Sequence, residues 1–531
     1  MPVLTAIDLL GIQRFVFSSN RLRDVIGASL LIARACSFEI DGPLANLVPE
    51  THRLMAAGGA ALVCFDSIDA ARDFAGTYSR WLYHEAPGLE VVIVHRRFRD
   101  GELAAAARAI QVDLARAKTE RAPSVPLPGL SVTETSVETG APAVAMRNLP
   151  RSAPAPSSRV TIKAREAWKG ERTSSHWSCR LGELSKATGR VLARPREIDH
   201  LGRSHGDTSL VAVVHIDGNG VGRKISDWLR ASVESERPDE DMRRGYQKMS
   251  KSLDGLATLA MDRVLERVAL SLETKENNEG KRVTLVRSGV PDLAFDLIPA
   301  VASEEDGDEA GVCMPVWPVL VGGDDLTFVC DGRLALDLTA TALAVFEDAR
   351  ICELGAITAS AGVAIVRSHA PFDRAYKLAE KLCTEAKLAG ERQGLWLDWY
   401  LGEARPGESV RALRDRQYDG GRLTARPVEM GHRGAQGTWR WMDAELLSPG
   451  GERSLRGVLW RERRNKVKEL RERLREGADA VTRALEGWQR VDERLRLPVG
   501  AHANQGTALL DAIELVDIHV PLDPTDAQVR S

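Results

Sequence analysis

The order apolar, Asp, two residues, Gly, aliphatic, one residue, Arg occurs twice in this chain. It runs from Ile7-Asp8 through Gly11-Ile12 to Arg14, and again from Ile216-Asp217 through Gly220-Val221 to Arg223. Two further anchors follow in the same sequence. Ala57-Gly58-Gly59-Ala60-Ala61 and its apolar run to Phe65 echo Val321-Gly322-Gly323-Asp324-Asp325 and the run to Val329. Val91-Val92-Ile93-Val94 with a helix ending at Lys118 parallels the strand Gly362–Val366 with a helix ending at Lys387. Matched anchors in one order are the mark of a duplicated unit. Each copy reads strand, helix, hairpin, helix, strand, helix, the alternation of a split βαβ sandwich. The expected fold class is therefore α+β, with two ferredoxin-like (split βαβ) units.

The second copy has a longer interval between its Asp strand and its hairpin. Amphipathic helical sequence fills about 222–272, and an acidic loop at 303–309 reads as a solvated excursion. The expected domains are a first palm (1–118), a Pro/Ser/Thr-rich linker with a small subdomain (119–208), a second palm (209–400) and a mainly helical C-terminal domain (401–531). Within the last, Leu455, Val458, Leu459, Val467, Leu470 and Leu474 recur at three to four residues, as on the inner face of a helical bundle. The helix predicted from Asp373 to Lys387 places Ala375, Leu378, Ala379, Leu382 and Ala386 on one stripe against a sheet.

Composition sets outer limits on function. A net charge of −3 across 531 residues gives no global attraction to nucleic acid, so any such contact needs a local patch. No apolar run approaches a membrane span and no signal peptide is recognised, so a cytoplasmic protein is expected. Seven cysteines are scattered without a Cys-x-x-Cys pair, which reads as buried free thiols rather than disulfides or zinc.

The chemistry concentrates at two strand ends. Val211–Ile216 is an apolar strand ending in Asp217 and the glycine-rich turn Gly218-Asn219-Gly220-Val221-Gly222, and Gly322-Gly323-Asp324-Asp325 caps a hairpin between apolar strands. Attack of a hydroxyl on an α-phosphate builds charge on oxygen, and hard cations held by carboxylates neutralise it. Asp217, Asp324 and Asp325 are the candidate catalytic and metal-binding residues. Alternating strand side chains oppose a shared face for Asp324 and Asp325 unless the glycines bend the turn. Gly218, Asn219, Gly220, Gly222, Gly322, Gly323 and Lys387 are candidate nucleotide contacts, the glycine run because it opens a helix whose amides can cradle phosphate. A polar turn would also take Gly and Asp, but it does not explain a further carboxylate on the matching strand or acids missing from the first copy. Asp8 is either a structural cap or a minor nucleotide contact, and Lys387 either a phosphate ligand or a solvated side chain.

The motifs Ile7–Phe17, Leu22-Arg23 with Gly27–Leu31, Val214–Gly222, Gly322–Phe328, Ser360–Ile365 and Ala386-Lys387 together resemble the palm-domain large subunit of type III CRISPR effector complexes. The resemblance covers 1–118 and 209–400. It implies synthesis of cyclic oligoadenylate messengers from ATP in antiviral defence, with Mg²⁺ or Mn²⁺ on Asp217, Asp324 and Asp325. Two ATP molecules would lie between the palms, with Asp8 and Ser29 among their contacts. The chain begins directly at the first palm, so the nuclease domain of many members is not expected. Glu134–Ala143 is similar to the family's zinc-binding segment without its cysteines, so no structural zinc is expected. Partners would be the triphosphate and, through the C-terminal helices, RNA or other effector subunits; no membrane partner is expected. Two other readings stay open: a non-catalytic nucleotide- or RNA-binding scaffold of a ribonucleoprotein complex, and a GTP-using enzyme resembling diguanylate cyclases. Against the latter, the hairpin lacks that class's acidic-aromatic ending and no sensor domain precedes it.

Overall fold

Both copies fold into the same antiparallel sheet. The computed structural model describes residues 1–122, 132–149, 152–170, 176–202, 209–276, 282–290, 293–300, 310–418, 423–501 and 508–523. In the first palm, β1 (Val3–Leu10), α1 (Ile12–Val16), α2 (Leu22–Ala35), β2 (Arg53–Ala57), β3 (Ala60–Phe65), α3 (Ile68–Glu85), β4 (Glu90–Arg97) and α4 (Leu103–Glu120) follow in order. Its sheet runs β2-β3-β1-β4. In the second palm the elements are β5 (Leu210–Gly218), α5 (Val221–Glu234), α6 (Asp239–Leu270), β6 (Val316–Gly322), β7 (Asp325–Asp331), α7 (Ala335–Ala344), β8 (Ala359–Arg367) and α8 (Phe372–Ala389). Its sheet runs β6-β7-β5-β8, the same order, and continues through β9 (Trp396–Leu401) to β10 (Val428–Glu429). The second sheet thus reaches beyond residue 400.

Burial explains why these segments take these forms. Val211–Val214 and Ile216 are almost fully buried, the continuous apolar run of a strand covered on both faces. On α8 the stripe Ala375, Leu378, Ala379, Leu382 and Ala386 is buried as expected and packs on β8 and β5. Gly362 makes that packing possible. A Cβ there would lie 2.0 Å from Ala379 O and 2.3 Å from Cys383 N.

Main-chain pairing shifts the internal alignment by one residue. Gly322 pairs with Asp325 across the second turn, and Ala57 pairs with Ala60 across the first. The structural counterparts of Gly322-Gly323-Asp324-Asp325 are therefore Ala57-Gly58-Gly59-Ala60, not Gly58-Gly59-Ala60-Ala61. An equivalent bond confirms it: Leu9 N–H donates to Gly59 O, and Gly218 N–H donates to Asp324 O. The sequence comparison matched glycine letters, whereas strand register is set by the ladder.

The palms face each other about a pseudo-twofold axis. Helix α4 packs on α5, and the matching pair α8 and α1 meets through Phe17 stacked on Tyr376 (4.6 Å between centroids) and Gln13 bonded to Glu380. The turns meet tip to tip, with a Cβ at Gly322 lying 3.3 Å from Gly58 N. Between the palms in sequence, Ala143–Leu149 and Ser152–Ser158 pair as antiparallel strands, and Arg159–Gly170 and His176–Thr188 are helices. The C-terminal region is mostly helical. Leu455, Val467, Leu470 and Leu474 are buried there, but Val458 is exposed, contrary to the stripe expected for it. The acidic loop at 303–309 lies outside the described residues. Cys36, Cys64, Cys313, Cys330 and Cys383 are buried, Cys179 and Cys352 are exposed, and all are free thiols.

Gly362→Ala is expected to cost about 3 kcal/mol of stability or to prevent folding. Equilibrium urea unfolding of the purified variant measures it, and a wild-type midpoint would contradict the packing described for β8 on α8.

Candidate active site

Strand pairing brings the predicted carboxylates together. Asp325 on β7 lies directly opposite Asp217 on β5, and Ser360 on β8 flanks Asp217 on the other side. Asp324 occupies the turn itself, its side chain against Gly218, where a Cβ would come within 2.7 Å of Asp324 Cβ. Gly323 has φ +66° while Asp324 is not in the left-handed region. That is the pattern of a type II′ hairpin, which demands glycine only at its first central position. In the first palm Gly58 and Gly59 both have positive φ, and a Cβ on Gly59 would strike Ile12 Cδ1 at 2.3 Å. The first turn therefore has a glycine-favouring backbone at the place where the second turn carries its acid.

Electrostatically the site holds more carboxylates than cationic partners. Burial, and next the charge of Asp217, push the Asp324 carboxyl up to about 6 from the usual 3.8. Like charges facing each other across a strand pair are destabilising. Lys387 Nζ forms an ion pair with Asp217 and also donates to Gly218 O at 3.2 Å. Asp325 Oδ1 is buried without a hydrogen bond, although His215 Nδ1 lies 3.3 Å away; that nitrogen is also 3.1 Å from Thr327 Oγ1. Burial alone would lower the His215 pKa, but the nearby Asp325 outweighs it and the net direction is upward.

A crowded carboxylate and an orphaned carboxylate oxygen are what a hard cation would relieve, so the donor set of Asp217, Asp324 and Asp325 fits one. As the side chains stand, no three acidic, imidazole or thiol groups converge closely enough to hold a metal among the described residues. Lys387 supplies the cationic partner of Asp217 in this arrangement. The first palm repeats it: Lys118 Nζ pairs with Asp8, whose pKa burial raises and Lys118 moderates. Asp8 and Lys387 are thus partners in internal ion pairs, and Lys387 is mostly buried rather than solvated.

The other candidates divide. Gly220 (φ +70°) precedes α5, which starts without a side-chain cap, and a Cβ at Gly220 or Gly222 would meet open space. This leaves room for a ligand at the helix start. The Asn219 amide points inward instead. Its nitrogen donates to Thr358 Oγ1 (3.1 Å) and Gly394 O (3.0 Å), and its oxygen accepts from Ser360 Oγ. A buried amide satisfied at both ends braces the turn. Ser29 Oγ donates to Val319 O on β6, clamping one palm to the other. It also lines a cleft of about 150 Å³ with Ile12, Ile32, Gly58, Asp254 and Asp325. This is below the roughly 300 Å³ at the low end of small-molecule sites, so a triphosphate requires the palms or side chains to give way.

Sequence reasoning missed His215, Ser250 and Asp254. His215 sits two residues before Asp217 on the same strand face, a period-two signal that was available. The other two come from α6 and carried no local signal.

Residues 210–396 match the family model described as Cas10/Cmr2, second palm domain. This segment is similar to the Cas10/Cmr2 second palm domain. Among solved structures the chain is similar to the apo Csm1–Csm4 cassette, with TM-score 0.54 and 13% identity over 97% of this chain and 70% of that one. It is also similar to the Csm1–Csm4 cassette in complex with cA3 (TM-score 0.51, 13% identity, 98% and 70% covered). A third is that cassette in complex with cA4 (TM-score 0.50, 15% identity, 97% and 70% covered). At such identities the likeness establishes the fold alone. No curated protein matches the chain.

A carboxyl whose pKa is raised on folding destabilises the native state as pH climbs from its unfolded toward its folded value. For Asp324 that window is 3.8 to about 6. In metal-free buffer at pH 7, Asp324→Asn is therefore expected to stabilise the protein by up to about 3 kcal/mol. The gain should vanish near pH 3.5; melting curves across pH check it, and a pH-independent difference would contradict the electrostatic account.

Proposed function

We propose that the chain is a metal-dependent nucleotidyltransferase that joins ATP into oligoadenylate-type messengers, as a Cas10-like subunit of antiviral defence. One observation carries this reading: Asp217 and Asp325 face each other across paired strands with Asp324 in the adjoining turn, inside a Cas10/Cmr2-type second palm. Asp217, Asp324 and Asp325 would hold the cation, and bound Mg²⁺ or Mn²⁺ would supply neutralisation of the charge that builds on the phosphate oxygens. The uncapped start of α5 behind Gly220 offers backbone amides to a phosphate. Lys387 compensates Asp217 in the empty site and is placed to share its charge with an incoming triphosphate. The first palm, with Gly59 and Ala60 where the second has acids, would bind the other reactant without activating it. Its Asp8–Lys118 pair keeps the matching strand and helix ends together.

Csm1 has been solved together with Csm4, and docking of companion subunits onto this chain belongs to the same proposal. Among the described residues no helix is long and apolar enough to cross a membrane, in keeping with a cytoplasmic role. A second reading, a nucleotide- or RNA-binding scaffold without turnover, is favoured by the small cleft and by Lys387 seated on Asp217.

Purified protein incubated with ATP and Mn²⁺ or Mg²⁺, with and without candidate RNA, should give oligoadenylates by mass spectrometry. Asp324→Ala/Asp325→Ala should reduce their yield about a hundredfold or more. Competition with GTP should leave the yield largely intact. ATP binding without product under every condition would favour the scaffold, and GTP-derived products would favour the cyclase-like alternative.

A further inference from the structure

The acid-bearing turn is held from outside the sheet by a residue with no counterpart in the first palm. Within a type II′ hairpin the N–H of the first central residue points away from the ladder. Gly323 is that residue, and its N–H donates to Asp254 Oδ1 at 3.1 Å. Asp254 lies on α6, and among the described residues no ion pair is formed by it. The bond fixes the Gly322–Gly323 peptide plane, and that plane sets the direction in which Asp324 and Asp325 leave the turn.

Helix α6 is itself anchored to the other palm. Ser250, one turn before Asp254, donates to Ala56 O and accepts from Ala56 N–H on β2. Gln247 donates to Arg53 O on the same edge strand. At the start of α6, Asp239 accepts from Gly101 and Leu103 N–H at the beginning of α4. The pseudo-twofold makes the comparison direct. In the first palm α2 reaches the opposite hairpin in the same way, through Ser29 and Val319 O. One turn after Ser29 stands Ala33, where Asp254 follows Ser250, and both line the inter-palm cleft. At this matching position α2 carries Ala33 and α6 carries Asp254.

We propose that Asp254 is a positioning residue of the second palm: by accepting the Gly323 N–H it orients the Asp324–Asp325 turn for cation binding. The proposal rests on the metal-site reading given above, and the acceptor oxygen, not the negative charge, is the part that acts. Leaving a buried N–H without its acceptor costs about 1–3 kcal/mol, enough to shift a coupled equilibrium about tenfold.

Two measurements on the full chain test it. Hydrogen–deuterium exchange, read on peptides containing Gly323, should accelerate about tenfold in Asp254→Ala and stay within about threefold of wild type in Asp254→Asn, which keeps an oxygen acceptor. Mn²⁺ titration by electron paramagnetic resonance, without nucleotide, should show an affinity about tenfold weaker in Asp254→Ala and largely restored in Asp254→Asn. Unchanged exchange in the alanine variant overturns the contact. Faster exchange with unchanged Mn²⁺ affinity overturns the positioning role. Equal loss of affinity in both variants also overturns it, because charge would then be what matters. If the wild type binds no Mn²⁺, the metal-site reading falls with the role that rests on it, and the exchange data still decide the contact. Circular dichroism melts confirm that the variants are folded.

Discussion

Two carboxylates placed opposite each other on neighbouring strands repel, and the second palm is arranged around that repulsion. The β5–β7 ladder leaves Asp217 and Asp325 no freedom to separate without breaking the sheet. Asp324 adds a third acid in the turn, with its proton affinity raised by burial and by Asp217. Lys387 supplies local positive charge that makes the cluster tolerable. A sheet that keeps such a cluster at strand ends, beside a cleft, spends stability on a charge pattern useful to a cation.

The duplicated palm shows what the charge requires of the backbone. The two halves share strand order, the glycine before the first helix and the lysine that closes on the strand aspartate. They part at the turn. Gly59 takes a positive φ that favours glycine, with the end of Ile12 beside it, whereas Asp324 occupies the equivalent place with ordinary backbone geometry. Loss of the acid in the first palm is therefore a change of turn type and of packing, not a simple replacement of side chains. Tip-to-tip contact of the turns then puts the empty half against the charged half and forms one shared cleft.

Much of this was legible in residue order. Apolar runs ending in Asp and Gly marked the strands, the stripe from Ala375 to Ala386 marked a sheet-packed helix, and the repeated anchors gave two halves of one topology. The acid triad was legible because carboxylates are rare at the ends of buried strands. The turn alignment was misread by one residue because glycines were matched as letters, while hydrogen bonding between strands decides which positions correspond. The bracing bonds of Asn219 were not legible because its partners Thr358, Ser360 and Gly394 lie far away in the chain.

The sequence by itself determined the two palms, their strand polarity and the residues able to carry negative charge, since periodicity and turn chemistry act over a few residues. Only the tertiary structure decided which groups meet. Lys387 sits on Asp217 across 170 positions, Asp254 takes the Gly323 amide across 69, and Ser29 grips Val319 across 290. Such contacts depend on how sheets and helices dock, and docking is set by the summed packing of many side chains rather than by any local motif.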